Sequence, residues 1–292
     1  MLLLGLLGCG ADATVTLGGA PVLEFGDTGQ RVRNLNLLAS TELGATLTED
    51  LLEIYFISDR EGGLGEGDVW YARRSARSDP FGAPEVVLEL SSPAAEASPA
   101  IAHDGLTLWL ASSREPGLGQ LDIWRATRGA RGQPWGPLEN VAALNSPFND
   151  IPRPPGAGGA VLPIASDREG GAYQAYLAHG QAASFDDARL EPLAYLWQTD
   201  ASIGDPFLSW DGRLLFFRRA TLDGAGDLFV AWRREADAQF IDAAPLPSVN
   251  SDADERDPFV SSDQIRFFFS SNQRDSARFD IYATSITLPP FD

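Results

Sequence analysis

Apolar runs of four residues recur along this chain between turn-forming segments rich in Gly, Asp and Ser. No stretch shows the three-to-four-residue apolar spacing of an amphipathic helix. The runs fall at 54–57, 108–111, 162–165, 214–217 and 267–270, and their unbroken apolar character suits strands covered on both faces. A short apolar segment precedes several of them and ends in a tight turn, with Asp-Gly at 104–105 and 211–212, a strong hairpin signal because Gly tolerates positive φ. After each run come a long loop, a third strand marked by an Asp-apolar-aromatic triplet, and a segment opening on an aromatic at Phe81, Trp135, Phe185 or Phe240.

This four-strand unit repeats. Segment 58–72 is echoed by 112–126, 166–178, a copy ending at 227–231, and 270–284. The triplet aromatic stands at Trp70, Trp124, Tyr176, Phe229 and Tyr282, at intervals of 54, 52, 53 and 53. Four strands per period of this size predict an all-β, five-bladed β-propeller of four-stranded antiparallel blades, at roughly 41–87, 88–141, 142–190, 193–247 and 248–284. The fifth copy stops one strand short, and segment 25–33 matches the missing strand, since 25–32 resembles 81–87 and 135–141. Pairing of 25–33 with the strand around 279–284 would close the ring and remove its exposed edges, giving a single domain over 25–288.

The unit resembles the TolB-type, WD-like propeller repeat: Pro-apolar-Ser-x-Asp-Gly, then Ser-Asp-Arg as at 58–60, then Asp-apolar-aromatic as at 68–70, 122–124 and 280–282. The resemblance covers 25–284. Blade three departs from it through Pro152, Pro154, Pro155 and Pro163 and through Gln174 in place of the Asp, and blade four has Arg218, Arg219 and Ala220 where Ser-Asp-Arg belongs. TolB itself has six blades and a preceding α/β domain and this chain has neither, so the resemblance implies the fold and not a Tol–Pal partnership.

Composition narrows the function. A formal charge of −19 repels nucleic acid phosphates and anionic headgroups, so a nucleic-acid partner is not expected. The single cysteine, Cys9, excludes an internal disulfide. Residues 1–8 look like the end of a signal peptide, and 6–9 resemble the bacterial lipobox. The resemblance implies lipid on Cys9, a tether over 9–24, attachment to the membrane only through that lipid, and a place in the cell envelope, at the outer membrane or periplasm.

In a repeat protein, recurring residues are scaffold and departures are candidates. Asp68, Asp122, Asp227 and Asp280 recur, and are expected to accept bonds from the preceding loop or from Arg60, Arg114 or Arg274; Phe25, Phe81, Trp135, Phe185 and Phe240 are expected in the core. A second recurring set precedes the first strands: Glu42, Glu96, Asn149 with Asp150, Asp205, and Glu255 with Asp257. These groups would ring a channel mouth, where they could hold a hard cation such as Ca²⁺ or cap loop amides; no other cofactor is called for. Trp197 and Phe148 in loops, and Trp210 in a hairpin on the opposite face, are off-pattern aromatics. His103 and His179 stand alone, and no hydrolase or P-loop motif occurs. The expected function is a non-enzymatic envelope propeller binding a protein, peptide or glycan on the face carrying loops 62–67, 116–121 and 197–204, through Glu42, Glu96, Asp150, Trp197, Asp205 and Asp257. The alternative is a glycan-cleaving enzyme using a carboxylic acid and a carboxylate drawn from Asp150, Asp205 and Asp257.

Overall fold

The computed structural model describes residues 14–16, 22–26, 29–181, 184–197, 201–221 and 225–288. Five antiparallel sheets follow one another along the chain, each running from an inner to an outer strand. Strands β1 (Thr14–Thr16), β2 (Val22–Phe25) and β3 (Gln30–Arg31) precede blade one. That blade is β4 (Glu42–Leu47), β5 (Glu53–Ser58), β6 (Asp68–Arg73) and β7 (Glu85–Val86). Blade two is β8 (Glu96–Ile101), β9 (Thr107–Ser112), β10 (Asp122–Thr127) and β11 (Glu139–Asn140). Blade three comprises β12 (Asp150–Pro152), β13 (Val161–Ser166), β14 (Gln174–Gln181) and β15 (Ser184–Pro192). Blade four has β16 (Ala201–Leu208), β17 (Leu214–Thr221), β18 (Gly226–Trp232) and β19 (Ile241–Pro245), and blade five has β20 (Glu255–Val260), β21 (Arg266–Asp275) and β22 (Arg278–Thr287). The five-bladed propeller expected from the repeat is the fold.

The N-terminus completes blade five as expected: Arg31 pairs with Tyr282, Gln30 with Ala283, and Phe25 with Ile286. Phe25 is buried and meets Phe267 edge-on, with ring centroids 5.3 Å apart. The tether assignment for 9–24 needs correction. Thr14–Thr16 pairs with Val22–Phe25, and Val15 and Leu23 are buried in the main core, because a hairpin added outside β22 finds apolar surface to cover. Cys9 and residues 1–13 lie outside the described residues.

Each continuous apolar run is a second strand. β5, β9 and β13 are buried along their whole length, as sheets covered on both faces require. The aromatics Phe81, Trp135, Phe185 and Phe240 are all buried, as expected. Three of them carry a stacked guanidinium: Arg74 over Phe81 at 4.5 Å, Arg128 over Trp135 at 4.5 Å, and Arg233 over Phe240 at 4.3 Å. Each of these arginines also donates Nε–H to a carbonyl of its blade's first turn, on Leu51, Gly105 and Gly212 respectively. The chain contains no lysine, so this planar fork, which stacks and donates at once, is its only strong cation.

Loss of the Phe25 ring removes a buried aromatic from the closing strand and should cost roughly 3–5 kcal/mol. Thermal melting of Phe25→Ala should fall well below wild type, whereas Phe148→Ala, at an exposed position, should melt within about 0.5 kcal/mol of it. Coincident melts for the two variants would show that the N-terminal strand does not hold the ring.

Candidate functional site

The channel-mouth carboxylates fall into two groups. Glu42, Glu96 and Asp150 do not ring an open mouth: their exposures are 0%, 3% and 0%. Each is the hub of one blade. Glu96 accepts from Ser92 Oγ at 2.6 Å, Ser92 N at 3.0 Å, Ser112 Oγ at 3.0 Å and Arg114 Nη2 at 2.8 Å. Glu42 takes the equivalent bonds from Ser40, Ser58 and Arg60, and Asp150 from Ser146, Ser166 and Arg168. Such a carboxylate, paired and fully bonded, is stable in the interior and offers no lone pair to a ligand. Arg60 and Arg114 therefore serve these hubs rather than Asp68 and Asp122, which accept loop amides from Leu64, Gly65, Leu118 and Gly119. Asp280 does receive Arg274, together with Arg31.

Further along the inner strands of blades one, two, four and five the backbone bulges, between 43 and 46, 97 and 100, 204 and 207, and 256 and 259. The bulge residues Gly44, Ser98, Asp205 and Asp257 have φ of 66°, 48°, 49° and 54°, which turns them toward the ring axis. Only the glycine adopts this region without strain; Asp tolerates it better than most residues.

Arg153, unremarked in the sequence, governs this part of the channel. It is 1% exposed, and from blade three its Nη1 donates to Ser98 Oγ in blade two at 3.2 Å and to Asp257 Oδ1 in blade five at 2.8 Å. Blades three and five are not neighbours, so this guanidinium crosses the axis. Asp257 accepts in addition the Gly44 amide of blade one at 3.0 Å. Asp205 is different: it retains some exposure, and among the described residues its carboxylate accepts no hydrogen bond. Burial in the channel, and then the Asp257 charge beside it, push Asp205 above the usual carboxylate range, against the pull of Arg153, Arg218 and Arg256. Tyr173 belongs to the same mouth; burial, and then the charges of Asp167 and Asp205, push its hydroxyl up to about 12.

Trp197 follows a 3-10 turn (Ala194–Leu196) and packs half-buried against Tyr176, centroids 5.7 Å apart, instead of standing free in a loop. It occupies the place where Asn36, Asn145 and Asn250 clamp both backbone groups of the neighbouring third strand, on Ile281, Ile123 and Leu228. Where the clamp is lost, polar atoms are left over: Trp197 Nε1, Tyr176 Oη, Gln174 Oε1 and Arg219 Nε are buried without a partner. Those four sit on blades three and four, the two that depart from the repeat, but the regular blades hold such atoms too, among them Trp109 Nε1, Trp124 Nε1 and Asp68 Oδ1.

The long-loop face also exposes apolar side chains, Leu64, Leu118 and Phe148. Close docking holds two of the loops: a Cβ at Gly65 would lie 2.5 Å from the Ala94 carbonyl oxygen, and one at Gly119 would overlap the Phe148 carbonyl. On the opposite face Trp210 stacks on His103 at 3.7 Å, joining the turns of blades four and two above a cavity of about 30 Å³. Among the described residues no three His, Cys, Asp or Glu side chains gather as a metal cage, and no helix is long and apolar enough to cross a membrane.

A scan of family models and a search of curated proteins give no match to this chain. Solved structures match its fold. An endo-arabinase from Bacteroides thetaiotaomicron aligns with a TM-score of 0.60 at 13% identity, over 90% of this chain and 98% of that one. A glycosyl hydrolase from Bacteroides ovatus gives 0.54 at 13% identity, over 93% and 96%. TolB from Acinetobacter baumannii gives 0.52 at 15% identity over 85% of this chain, which spans 55% of that protein's length. Likeness at these identities is one of architecture, a TolB-like propeller.

Because its pKa is raised on folding, Asp205 favours the folded state only while protonated, below its ordinary value of 3.8, and that contribution is lost as pH rises through the higher folded value. Asn keeps the shape and tolerates the same φ, so Asp205→Asn should melt above wild type at pH 7, with the gain shrinking as pH falls toward 3.8. A variant that melts below wild type at pH 7 would mean that the carboxylate has a stabilising partner.

Proposed function

We propose that this protein is a non-enzymatic propeller that binds a protein or peptide segment on its long-loop face, over the channel mouth. The observation that carries this reading is the Arg153–Asp257 pair across the axis, which gives the mouth a floor where a glycosidase needs an open cleft between an acid and a carboxylate. Leu64, Leu118 and Phe148 supply apolar contact on that face. Asp205, desolvated and unpaired, supplies a site for a cationic group of the partner, and the −19 charge steers basic segments toward it.

A second reading has one observation in its favour. Asp205 and Asp257 lie in the same channel with opposite surroundings, one desolvated and the other paired with Arg153, which is the asymmetry that separates a general acid from a carboxylate. The endo-arabinase and glycosyl hydrolase likeness agrees with a glycan ligand, but 13% identity extends only to fold.

The two readings part on a peptide array and a polysaccharide panel. The binding reading expects retention of basic peptides, weakened about tenfold by Leu118→Asp or Asp205→Asn, and no turnover of any polysaccharide. Turnover that disappears in Asp205→Asn would replace it with the hydrolase reading.

We also propose that the protein is held in the cell envelope by lipid on Cys9. Wild type should partition into detergent and Cys9→Ser into the aqueous phase with an unchanged melting profile. Equal aqueous partitioning of both would remove the anchor.

A further inference from the structure

Where the ring closes, a groove of about 860 Å³ runs between blades five and one. Its walls are the closing strand, the turn that ends β6, and the start of β21. Five arginines line it, Arg31, Arg33, Arg74, Arg77 and Arg266, against two carboxylates, Asp79 and Asp263, an excess of three positive charges on a protein of net charge −19.

Bonds within the groove leave most of this charge unmatched. Arg77 meets Asp263 at 3.4 Å with about half of its side chain exposed. Arg31 shares the buried Asp280 with Arg274, so one carboxylate serves two cations. Arg74 lies over Phe81 and, among the described residues, its guanidinium bonds only to the carbonyls of Leu51 and Asp79. Arg33 and Arg266 are exposed and make no ion pair among the described residues. Burial, and then the nearby charge of Arg266, lower the pKa of Arg74, as like charges held together must. Asp79 and Asp263 offset only part of this charge, and like-charge crowding with too few internal counterions is a cost that a bound anion removes.

We propose that this groove is a binding site for a phosphate group carrying two or more negative charges. Guanidinium forks match phosphate oxygens in pairs, and a multivalent anion fits an excess of three charges better than a single carboxylate does. The remaining acidic surface does not forbid it, because at physiological salt charges beyond about 8 Å are largely screened while those lining the groove are not. Headgroups of lipids and soluble phosphate esters share this chemistry.

Calorimetric titration of the full chain with tripolyphosphate tests the site, with citrate as the carboxylate control and Arg189→Gln, on an exposed ion pair in blade three, as the control variant. Tripolyphosphate should bind wild type and Arg189→Gln alike, and Arg33→Gln and Arg266→Gln should each weaken it about tenfold without lowering the melting temperature. Flotation with phosphatidylcholine vesicles, with and without phosphatidic acid, separates the sources: recruitment by phosphatidic acid that is lost in both variants assigns a lipid headgroup, and tripolyphosphate binding without recruitment assigns a soluble ester. No binding at about 1 mM tripolyphosphate in low salt, equal affinity in wild type and both groove variants, or equal binding of citrate would overturn the proposal.

Discussion

A carboxylate sealed from water at the head of the inner strand is the interaction on which blades one, two, three and five depend. Glu42, Glu96, Asp150 and Glu255 each gather a serine from the connection before the blade and a serine from the second strand, and in the first three blades an arginine as well. Interior charges of this kind are tolerable only when every lone pair is used, and removing one partner from such a set typically costs about 3–5 kcal/mol. Blade four avoids the liability by omission. Ile203 stands opposite Arg219 where the other blades pair the acid with serine, so the hub position itself holds no carboxylate, and the arginine turns to the Phe229 ring at 4.4 Å.

Breaks in this scheme determine where the molecule has chemistry to spare. Blade three has Trp197 in place of the clamp asparagine and Gln174 in place of the triplet Asp, and Arg153 occupies the inner-strand position held by Ala45, Pro99, Pro206 and Pro258 elsewhere. The first two changes leave buried donors and acceptors without partners. The third supplies the cation that bridges the axis, and it leaves Asp205 as the channel carboxylate without a bond. The channel's unpaired carboxylate thus stands on a blade in which the repeat is least regular.

Much of the fold was legible because period carries it. Five triplet aromatics at near-constant spacing give the blade count, and Phe25 with its following residues gives the closing strand. The hairpin of Thr14–Thr16 and Val22–Phe25 was not legible: β1 has three residues, and a segment that short has no period to reveal it. At the channel mouth, sequence spacing placed the carboxylates at the right strand heads, but spacing does not tell which way a side chain turns. Asp257 lies only two positions after Glu255, and a bulge sends one into the blade and the other to the axis. Arg153 was hidden among prolines that read as an interruption, although an arginine on an otherwise uncharged inner-strand position is itself a signal.

The absence of lysine gives the molecule a one-sided response to acidity. A guanidinium does not release its proton under ordinary alkaline conditions, whereas an ammonium begins to do so near pH 10. Every ion pair here that joins an arginine to a carboxylate can therefore be discharged only from the acidic side, by protonating Asp or Glu. The blade hubs, the Arg153 bridge and the stacked arginines should stay charged together through mild alkali, and the same side chains offer no primary amine to acylating reagents. The charge of the arginine–carboxylate hubs is consequently set by their carboxylates, and acid discharges all of them at once.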